Sequence, residues 1–205
     1  MHHIYENLFT QEEIAALEAD CDSRPIAAYN NEININKNLD YYHHNGISNS
    51  IIKPKLEQIF GADCVVAQGC YKIDTRPLGT HIDNAGTLYK WEENELPAKY
   101  EAAMIIPLVE NENFRTVIYD VFSKDWHGMS EPLPVEYETG TNDFDLAALD
   151  HIAEPAREQT RRFNIDAVFS WKIGSSVVWE KNQLHCSTNY AKFGLQKKFV
   201  LLFIA

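Results

Sequence analysis

The chain has 205 residues, 45% of them hydrophobic, which is enough for one domain with a substantial core. Thirty acidic against 18 basic side chains give a formal net charge of -12, which argues against a nucleic-acid-binding surface and leaves room only for a local basic patch. With no apolar run of membrane-spanning length and no basic-then-apolar leader, no membrane partner is expected and the expected compartment is cytoplasmic.

Thr10 followed by Glu13 is a capping-box signature. Ile14, Leu17 and Cys21 then recur at helical spacing between Glu12, Glu18 and Asp22, which predicts an amphipathic helix packed on the outside of a sheet. Residues 29–46 are rich in Asn and aromatic groups and read as loop with an edge strand. Within them His43 and His44 would face opposite ways in an extended chain, so a surface or substrate-loop role is assigned. Residues 48–60 predict a second helix with Pro54 in its early part and Gly61 as its stop. Residues 64–73 read as a strand in which Tyr71 and Ile73 alternate with Lys72. Two more strands are expected at 102–109 and 114–122, joined by a hairpin-like connection.

Between residues 123 and 164 the strand pattern dissolves into an acidic, proline-containing stretch, expected to be a lid or insertion. His127 and His151 lie there without ligand spacing. Strands at 167–173 and 176–179, another beginning at His185, and a last one at 197–204 complete the chain. About eight short strands with few helices point to a mainly β (α+β) domain spanning residues 1–205, an antiparallel barrel or jelly roll with its N-terminal helices outside. The cysteines, Cys21, Cys64, Cys70 and Cys186, lack CxxC pairing, and free thiols are expected. Trp171 and Trp179 read as core.

The chemistry concentrates in Thr80-His81-Ile82-Asp83 and in His185. Strand side chains at i and i+2 share a face, so His81 and Asp83 can converge on one point. With His185 as third ligand they would form two imidazoles and one carboxylate on one side of a metal, the facial triad of non-haem Fe(II) oxygenases. The HxD string alone is not specific, because a surface His and Asp after Pro77 and Gly79 would read the same. Its context is what carries weight, since a jelly roll can bring early and late strand residues together at one open end.

With these residues in place, the chain resembles the Fe(II)- and 2-oxoglutarate-dependent dioxygenases. The resemblance implies a double-stranded β-helix, an HxD motif on an early core strand, a distal His, and a basic residue on the last strand that binds the far carboxylate of 2-oxoglutarate. It makes His81, Asp83 and His185 the metal-binding and catalytic set. Lys197 and Lys198 are the candidate anchors, and only one of two strand neighbours can point inward. Lys198-Phe199-Val200 looks like the Lys-Trp-Val of collagen-type prolyl hydroxylases, so Lys198 is preferred and Lys197 held in reserve. Cys70-Tyr71 resembles the Cys-Tyr pair of the oxygen-sensing prolyl hydroxylases, which implies that the Tyr71 hydroxyl lines the cosubstrate pocket, with Tyr71 or Thr80 helping Lys198 to anchor the far carboxylate. Leu8-Phe9-Thr10-Gln11-Glu12-Glu13 looks like the first helix of the same branch. Lys in place of Arg, and Asp74, Thr75, Arg76, Pro77 and Leu78 before the motif, depart from its pattern.

The activity so implied is hydroxylation of a C–H bond in an amino acid, a prolyl peptide or another small substrate, using Fe(II), 2-oxoglutarate and O2, with ascorbate supportive and succinate and CO2 released. A cupin-like metal enzyme or binding protein that does not use 2-oxoglutarate is the alternative, and a non-catalytic jelly-roll interaction domain the third reading. Arg76, Arg115, Arg157, Arg161 and Arg162 would suit an acidic small molecule and the Asn- and Tyr-rich loop a peptide, although solvated surface is the commoner fate of such residues. Substrate and oligomeric state are not legible.

Overall fold

A computed structural model describes residues 2–30, 34–39, 46–77, 80–83, 101–123 and 163–205. Helix α1 (Gln11–Ser23) starts where the capping box places it. The Glu13 N–H donates to Thr10 Oγ1 at 3.1 Å and the Thr10 N–H to Glu13 Oε2 at 2.8 Å, so two otherwise orphaned donors are satisfied. Ile14, Leu17 and Cys21 form its buried stripe. Helix α2 (Ile47–Phe60) ends at Gly61, whose φ of 92° suits a residue without Cβ.

Ten strands are described: β1 (His3–Tyr5), β2 (Ile26–Asn30), β3 (Asn34–Asn38), β4 (Val66–Asp74), β5 (Ala102–Pro107), β6 (Arg115–Phe122), β7 (Ile165–Ser170), β8 (Ser176–Glu180), β9 (Gln183–Ser187) and β10 (Lys197–Ile204). They form a seven-stranded sheet in the order β1-β8-β5-β10-β4-β3-β2 and a three-stranded sheet in the order β7-β6-β9. Every pairing is antiparallel, and the two layers make the expected jelly roll.

The expected hairpin at 102–122 does not form. β5 lies between β8 and β10, whereas β6 is the centre of the other sheet, so their short connection crosses between layers. Asn111 shapes that crossing, its side-chain oxygen accepting from the Asn113 N–H at 2.9 Å and its carbonyl from the Phe114 N–H at 2.9 Å. A tight turn and two apolar runs look alike in sequence whether the second strand returns beside the first or joins the opposite sheet.

Three apolar layers follow from the alternation of side chains along the strands. Ile14, Leu17, Ile52 and Leu56 of the helices pack on Tyr71, Met104, Ile106, Val200 and Leu202 on the outer face of the large sheet. Cys70, Ala103, Phe114, Ile118, Phe169, Trp171, Trp179, Phe199, Leu201 and Phe203 fill the space between the sheets. Val117, Tyr119, Leu184 and Cys186, with Phe163 and Ile82, cover the outside of the small sheet. All four cysteines are free. No described helix is long and apolar enough to cross a membrane. The expected lid or insertion, His43, His44, His127, His151, Arg157, Arg161 and Arg162 lie outside the described residues.

Candidate active site

His185 is central in β9, and His81 reaches it by a single antiparallel bridge instead of the longer strand expected for the motif. The His81 N–H donates to the His185 carbonyl at 2.9 Å and the His185 N–H to the His81 carbonyl at 3.0 Å. That pairing sets the imidazoles side by side, with ring centroids 4.3 Å apart. Asp83, two residues on, brings its Oδ2 to 3.6 Å from His185 Nε2, and one ligand atom from each of the three residues lies within 4.8 Å of the others.

Partners outside the triad hold these groups in place. Trp179 Nε1 donates to Asp83 Oδ2 at 3.0 Å, so this core tryptophan also orients a candidate ligand. His185 Nδ1 is 3.1 Å from the Gln183 carbonyl. An N–H there donates to that oxygen and leaves the Nε2 lone pair for the triad, the usual support of a metal-binding histidine. Burial pushes the His185 imidazolium down to about 4, so the ring is the neutral ligand form at ordinary pH. Burial also raises the Asp83 carboxyl, against the opposing charges of His81 and Lys72 and the Trp179 hydrogen bond. A buried carboxylate beside two imidazoles is a site that a divalent cation compensates, and the donor set fits iron with open positions.

The lysine expectation is corrected by one residue of register. Lys198 pairs with Ile73 and points away from the triad onto α1, where its Nζ meets Glu18 Oε1 at 3.0 Å and Asp22 Oδ1 at 2.7 Å. Lys197 pairs with Asp74 and points between the sheets. It is 1% exposed. Its ammonium lies 4.1 Å from the Trp171 ring centroid, 4.9 Å from that of Tyr190 and 5.9 Å from that of Phe114, and it donates to the Arg115 carbonyl at 3.2 Å and to Ser187 Oγ at 3.3 Å. Burial pulls its pKa down to about 7, against the charge of Asp74.

Tyr71 is corrected in the same way. It shares the helix-facing side of β4, and its hydroxyl donates to Asp20 Oδ2 of α1 at 2.7 Å. Thr80 is buried against the Cys186 thiol, on the far side of the small sheet from the triad. Two residues that sequence reasoning passed over do face inward: Lys72 and Asp74, both buried, with the charges of Lys72 and Lys197 both acting on Asp74. A groove of about 430 Å³ lined by residues such as Ile4, Asn7, Val168 and Lys172 contains none of these groups.

No protein-family model and no curated protein matches this sequence. Solved structures do match. An oxidoreductase of the 2OG-Fe(II) oxygenase family from Burkholderia pseudomallei aligns over 100% of this chain and 84% of its own at a TM-score of 0.53 and 12% identity. The non-haem α-ketoglutarate-dependent epimerase SnoN from nogalamycin biosynthesis aligns over 99% and 77% at 0.58 and 10% identity. HygX from Streptomyces hygroscopicus, solved with nickel and 2-oxoglutarate bound, aligns over 100% and 82% at 0.57 and 7% identity. The chain has the 2-oxoglutarate–Fe(II) oxygenase fold. At such identities the likeness speaks for the fold alone, and it does not single out the prolyl-hydroxylase-like branch.

Proposed function

We propose that the protein is an Fe(II)- and 2-oxoglutarate-dependent oxygenase in which His81, Asp83 and His185 hold the metal and Lys197 holds the distal carboxylate of the cosubstrate. The observation that carries this reading is the pairing, inside one jelly roll of oxygenase fold, of the His-Asp-His cluster with a buried lysine. Bound Fe(II) and 2-oxoglutarate supply the chemistry of the family: O2 activation coupled to oxidative decarboxylation to succinate and CO2, with oxidation of a substrate C–H bond.

The chain's own residues bind, orient and exclude water. Neutral His185 presents Nε2 because the Gln183 carbonyl takes the other ring nitrogen, and Trp179 keeps Asp83 turned towards the imidazoles. Lys197 has two acceptors in the protein, so one of its three N–H bonds remains for a carboxylate. Trp171, Tyr190 and Phe114 surround that ammonium with rings, a low-dielectric setting that strengthens a charged contact. Hydroxylation of an amino acid, a prolyl peptide or another small molecule is the outcome we favour. SnoN, whose structure is also known with Fe3+, α-ketoglutarate and nogalamycin RO, supports the small-molecule class. Free thiols throughout fit a reducing compartment such as the cytoplasm.

The experiment is a succinate-release screen over free amino acids, prolyl peptides and small acids with Fe(II), ascorbate and 2-oxoglutarate supplied. One class is expected to stimulate succinate formation above the substrate-free rate, with a product heavier by one oxygen. A cupin-like protein that does not use 2-oxoglutarate would release no succinate under any condition.

A further inference from the structure

Lys72 lies within β4, 3% exposed, with its side chain between the sheets and its Nζ 5.7 Å from the centroid of the Phe199 ring. Among the described residues its ammonium makes no hydrogen bond and no ion pair. An ammonium in such a place has only the through-space charge of Asp74 to set against its loss of water. A lysine in that state, facing a candidate metal centre, is a group that a ligand completes.

The surroundings say which ligand. An ammonium has donors only, so its partner is an anion. The charge of Lys72 favours ionised Asp83 and opposes protonation of His185, which puts it on the metal side of the interior. Lys197 pairs with Asp74, one inward-facing position further along β4, an offset of roughly 6.6 Å at the rise of a strand. That offset is comparable with the separation of the two carboxylates in an extended five-carbon diacid. Lys197 already gives two N–H bonds to the protein, whereas those of Lys72 have no acceptor among the described residues. Asp74, whose charge acts on both lysines, supplies the counter-charge between them.

We propose, building on the cosubstrate reading above, that Lys72 binds the metal-proximal carboxylate of the 2-oxo acid while Lys197 binds the distal one, so that two lysines on neighbouring strands select a dicarboxylate. The test is calorimetric titration of Mn(II)-loaded protein with 2-oxoglutarate and with pyruvate, which keeps the metal-proximal carboxylate and 2-oxo group but lacks the distal carboxylate. Lys72→Met is expected to weaken both ligands by about tenfold or more, the weight of a charge-assisted hydrogen bond. Lys197→Met is expected to weaken 2-oxoglutarate to a similar extent and to leave pyruvate within about twofold. Lys72→Met leaves Lys197 as the counter-charge of Asp74, and the ligand-free melting temperature of the variant, read beside its binding, separates a lost contact from a damaged fold. Lys72→Arg keeps the charge and should bind 2-oxoglutarate more tightly than Lys72→Met. Wild-type affinity for 2-oxoglutarate in Lys72→Met would overturn the assignment, and so would a Lys72→Arg protein that binds it no better than Lys72→Met. A wild-type protein that binds no 2-oxoglutarate would instead remove the cosubstrate reading itself.

Discussion

Lys197 and Lys198 are adjacent and chemically identical, yet one is caged between the sheets and the other lies against α1. Lys197→Met should therefore weaken 2-oxoglutarate binding by about tenfold or more. Lys198→Ala should leave it unchanged and lose about 0.2–1 kcal/mol of stability, the range of a partly exposed ion pair; binding and denaturant titrations of the two variants separate the roles. The pKa of Lys197 adds a pH signature. Burial holds it at about 7 in the ligand-free chain, and a carboxylate alongside raises it, so binding above pH 7 takes up a proton. Affinity should then fall by up to about tenfold per pH unit as pH rises from 7. Calorimetry at pH 8 in two buffers of different ionisation enthalpy reads that uptake, and its absence would mean that Lys197 is not the group engaged. Which lysine faces inward was not legible in the sequence, because β10 is apolar on both faces and its pattern carries no mark of inside or outside.

At the scale of elements, β4 inverts the usual rule of apolar-in and polar-out. Tyr71 and Ile73 face the helices, while Lys72 and Asp74 face the jelly-roll interior. Both faces of the strand are covered, so the polar face is the one lining a candidate ligand site, and alternation alone reads it as solvent. The Cys70-Tyr71 pair misled for the same reason, since its tyrosine serves the packing of α1. Tyr71→Phe should cost about 1 kcal/mol through loss of the hydrogen bond to Asp20, with 2-oxoglutarate affinity unchanged; weakened cosubstrate binding would return Tyr71 to the pocket. The turn between β7 and β8 holds the N-terminal segment, with the Phe9 N–H donating to the Gly174 carbonyl at 3.0 Å. Gly174 has a φ of +84°, and a Cβ there would lie 2.5 Å from the Phe9 carbonyl oxygen. Gly174→Ala is accordingly expected to destabilise the chain by more than about 1 kcal/mol in denaturant melts.

Across the whole molecule, capping chemistry and strand periodicity were enough to read two outer helices and a jelly roll, because both are written in short-range pattern. The crossing from β5 to β6 was not, since which sheet a strand joins depends on partners far along the chain. The convergence of His81 and Asp83 with His185 followed from the i, i+2 rule and from the fold's habit of joining distant strands, whereas the supporting part of Trp179 needed coordinates. Fold and triad together make one claim, that a metal held by these three residues receives 2-oxoglutarate within the barrel. The measurement that tests it most directly is anaerobic titration of the Fe(II)-loaded protein with 2-oxoglutarate, followed by metal-to-ligand charge-transfer absorption, in wild type and in Asp83→Ala. A band that saturates at one 2-oxoglutarate per chain in wild type and is lost in Asp83→Ala is expected. Absence of the band in metal-loaded wild type, or the same band in both proteins, would contradict the account.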